Sequence, residues 1–132
     1  MSDLDMPEGL SDAGRRAHAI IVAYLAEHGV KQAGQFQAFH SPASWDQEYG
    51  GRSHLVIDHR GGPLGPVFSM DAAYEHDCAN YRRTGKTREP YMLYQGMMDK
   101  LREAGLFFED CTRRYSAVYS IDSSDSEQED AP

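Results

Sequence analysis

The chain has 132 residues, 40% of them hydrophobic, and a formal net charge of −8. That length and composition exclude a disordered chain and argue for one domain whose core stands without a disulfide or a metal. They also exclude a bilayer span. The longest apolar run, AIIVAYLA at 19–26, is too short, and the acidic start (Asp3, Asp5, Glu8) stands where a secretory signal would be basic.

In chain order, residues 1–10 read as a flexible acidic arm. Ser11 then caps a helix over 12–28, with Asp12 in its first turn. Ala13, Ala17, Ile20, Ile21, Tyr24 and Leu25 recur at helical spacing, and Gly29 stops the helix. From 30 to 52 the pattern is poor. QFQAF suits a short strand, and the turn-rich HSPASWDQEYGGR is tied to the core through Trp45 and Tyr49. Residues 54–60 read as a strand, GGPLGP as a loop, and VFSM at 67–70 as its antiparallel return.

Asp71 is the expected cap of a helix over 72–83, followed by the basic linker RRTGKTRE. Pro90 opens a further helix over 90–104 with Tyr91, Tyr94, Met97, Met98 and Leu101 on one stripe, closed by Gly105. LFFED and YSAVYSI read as two strands joined at 111–114. SSDSEQEDAP is too polar to bury anything and reads as disordered. The expected fold is therefore α+β. A small antiparallel sheet of about four strands (54–60, 67–70, 106–110, 115–121) is packed by two to three helices within a single domain over 11–121. An acidic tail over 122–132 completes the chain.

Charge is segregated. Nine acids lie in 1–12 and 122–130 with no base among them. The remainder carries 13 bases and 12 acids, and eight of those bases fall between 82 and 114. Arg82, Arg83, Lys86 and Arg88, with Arg113 and Arg114 and the flanking Tyr81 and Tyr91, form the candidate binding surface. Phosphate contacts with aromatic stacking use such residues; the alternatives are a solvated linker and a basic patch bound in cis by the acidic tail.

The candidates for chemistry are thinner. In HLVIDHRGGPLG, strand alternation puts His54 and Asp58 on one face and His59 on the other. A metal site would need a third ligand from afar, and His76 is the available donor. His76 and Cys78 are two apart, the wrong spacing for a helical base–thiol pair. TGKT at 84–87 lacks both the upstream glycine and the preceding strand of a phosphate loop. Two cysteines, Cys78 and Cys111, are expected as reduced thiols of a cytoplasmic protein. No catalytic constellation, resident metal or cofactor is expected.

YMLYQGMMDKLREAGLFFEDCTRRYSAVYSI resembles the C-terminal part of small uncharacterised proteins of bacteria, phages and plasmids, and the turn HRGGPLGPVFSMD is similar to a turn in the same proteins. The resemblance covers about half the chain and implies a mobile-element setting but no site residues. Accessory proteins of that setting often act by binding, antidefence inhibitors such as anti-CRISPR proteins among them. Together these point to a non-enzymatic intracellular binding protein that acts on a protein partner, within a nucleic-acid-handling complex. The alternatives are a small His/Asp-based or metal-dependent enzyme at His54, Asp58 and His76, and a nucleic-acid-binding protein using 82–88.

Overall fold

The computed structural model describes residues 4–31, 37–42, 53–59, 63–85, 92–111 and 115–121. In chain order these form α1 (Asp12–Glu27), β1 (Phe39–His40), β2 (Leu55–Asp58), a short helix α2 (Gly65–Phe68), α3 (Met70–Thr84), α4 (Met92–Glu103), β3 (Leu106–Asp110) and β4 (Tyr115–Ser120). The four strands make one antiparallel sheet in the order β1-β2-β4-β3, so the fold is α+β as expected.

α1 begins as its sequence dictates. The Ser11 hydroxyl accepts the Gly14 amide at 3.1 Å, satisfying one of the helix's orphan donors, and Asp12 sits in the first turn, paired with Arg15. At the far end Gly29 takes φ 78°, a backbone that favours glycine, and Gly105 does the same after α4. Ala17, Ile21, Tyr24 and Leu25 of α1 and Tyr94, Met97 and Leu101 of α4 are buried against each other and the sheet.

Register explains which sheet face they cover. Leu55 opposes Val118, Phe108 opposes Val118 from the other side, and Ile57 opposes Phe39. These side chains alternate onto one face and share a single apolar cluster with the helices. Phe108 meets Phe68 and Tyr94 edge to face, at centroid distances of 5.1 and 5.0 Å. Each fully buried side chain of this kind is worth roughly 1.5–3 kcal/mol over leaving it in water. Val56, Asp58, Tyr115 and Ala117 alternate onto the other face and are buried too.

Four expectations change. Residues 67–70 are no strand and no hairpin return. Pro66 sits in the first turn of α2, where its fixed φ and missing amide suit a helix, and Val67 and Phe68 point into the core. The fourth strand is instead β1, the two residues Phe39–His40 at one edge, displaced towards the C-terminal end of the expected QFQAF segment. α3 starts at Met70 and is capped by Ser69, whose hydroxyl faces the Ala72 amide; Asp71 occupies the first turn. Residues 4–10, expected to be loose, bury Leu4 and Leu10 in the core and are held by His18 Nε2 on the Leu4 carbonyl at 2.8 Å and Arg15 on the Leu10 carbonyl.

Trp45, Tyr49, Pro90 and the acidic tail over 122–132 lie outside the described residues. Among the described residues no helix is long and apolar enough to cross a membrane.

Candidate functional site

The polar residues of HLVIDHRGGPLG fall into separate environments. His54 lies at a bend just before β2, its amide donates to the Val118 carbonyl of β4 at 2.7 Å, and its Nδ1 is 3.0 Å from the Ser11 hydroxyl at the start of α1. Gly14 makes that approach possible, because a Cβ there would overlap the His54 carbonyl. Burial, and secondarily Arg16, push the His54 pKa below its ordinary value. Asp58 lies within β2, opposite Tyr115, and is fully buried. His76 is on the exposed side of α3. No three His, Cys, Asp or Glu side chains come together as metal ligands among the described residues.

His59 is the polar residue whose surroundings sequence reasoning undervalued. Alternation already placed it with Leu55 and Ile57, and it is fully buried there, with its ring parallel to Phe68. Its Nε2 is 3.1 Å from the Ser116 hydroxyl, and that hydroxyl donates to the Phe68 carbonyl at 3.0 Å. A hydroxyl has one proton. With that proton on the Phe68 carbonyl, the Ser116 oxygen is left to accept from His59 Nε2–H. A serine nucleophile needs the reverse polarity, with its proton aimed at the imidazole. The pair is thus a structural relay that fastens α2 to β4. Burial drives the His59 pKa down to about 4; the Asp58 carboxylate and a weak backbone contact with Tyr115 pull it upward and lose. Nδ1 makes no well-formed hydrogen bond among the described residues.

The basic and aromatic candidates divide differently. Tyr81, Arg82 and Arg83 sit together in the last turns of α3, all exposed. The two arginines complement the negative end of the helix dipole, and they are also presented to solvent. Lys86, Arg88, Tyr91, Arg113 and Arg114 lie outside the described residues. α3 itself is unusual. Only Ala73 is fully buried among its described side chains, and residues 81–84 are exposed on every side. Among the described side chains it therefore shows no buried stripe, the feature from which a helix gains most of its stability.

No protein-family model matches the chain, and neither does any curated protein or any solved structure.

Proposed function

We propose that the chain is a non-enzymatic intracellular binding protein whose contact element is α3. The observation that supports this is the exposure of Tyr81, Arg82 and Arg83 on a formed helix that extends past its packing on the body. Tyrosine and arginine are the residues that anchor protein interfaces, because each combines apolar area with directed hydrogen bonding. The occupant is a protein within a nucleic-acid-handling complex, in keeping with an accessory, antidefence-type role. The polar residues of β2, by contrast, are used up inside the fold.

The test is capture by the immobilised full chain at micromolar concentration, compared with a Tyr81→Ser, Arg82→Glu, Arg83→Glu variant of unchanged circular dichroism. The expected result is a protein partner retained after nuclease treatment and lost by at least tenfold with the variant. Capture that vanishes with nuclease points to direct nucleic-acid binding. Absence of any partner, together with measured turnover of a substrate, overturns the reading in favour of an enzyme.

A further inference from the structure

We draw no further inference here: the strongest candidate, the Ser11–His54 hydrogen bond where α1 meets the start of β2, is the serine cap of a helix N-terminus, and no second observation among the described residues points to a ligand there.

Discussion

β2 and α3 treat their polar residues in opposite ways. All four residues of β2 are buried, Asp58 included, and the adjoining His59 is sealed into a relay with Ser116 and Phe68. α3 is nearly four times as long, and Ala73 is the one described side chain it fully buries. Residue types that look chemical in sequence are thus structural where the sheet encloses them. The tyrosines and arginines of α3, by contrast, are exposed. A buried polar group is committed, because breaking its hydrogen bonds in a dry core costs about 1–3 kcal/mol. An exposed aromatic has its contact area still to give.

The largest expected contrast is in stability. Phe108→Ala removes a fully enclosed ring from between Phe68 and Tyr94 and should cost about 3–5 kcal/mol in urea unfolding. Next comes acid. His59 has a folded-state pKa of about 4 against 6.5 in the unfolded chain, so the unfolded state takes the proton more readily. Stability should be fully kept above about pH 6.5 and fall as pH drops towards 4, by roughly 3 kcal/mol in all. Urea midpoints at pH 7, 5.5 and 4 measure this, and His59→Phe should flatten the profile; an unchanged slope in that variant would show that the relay is not the source.

Gly14→Ala is smaller and turns on sign. Alanine normally gains about 1 kcal/mol over glycine inside a helix. Here the added Cβ meets the His54 carbonyl, which is backbone and cannot swing aside, so a net loss of about 1–3 kcal/mol in thermal or urea unfolding is expected. Smallest of all is Tyr81→Ser on α3, which should move stability by less than about 0.5 kcal/mol. A larger loss would mean that α3 is packed after all and would erase the contrast with β2.

α1, α4, β3 and β4 were legible because each carries a local signal that packing merely reinforces. These are the Ser11 cap, the apolar spacing of Ala17–Ile21–Leu25 and of Tyr94–Met97–Leu101, and glycines placed for a left-handed turn. β1 was displaced because two residues are too few to show alternation. α2 was misread because GGPLGP has loop chemistry, and only its landing on the core makes Gly65–Phe68 a helical turn.

The sequence by itself determined the α+β class, the two main amphipathic helices, the segregation of charge and the placing of His59 on the apolar face of its strand. Tertiary structure decided what each polar residue is for. It turned His54 to the α1 cap, enclosed Asp58, set the Ser116 hydroxyl on the Phe68 carbonyl and left Tyr81 largely exposed on α3. The reason is physical: periodicity fixes which side of its own element a residue takes, but burial and hydrogen-bond polarity depend on what other segments bring to that side.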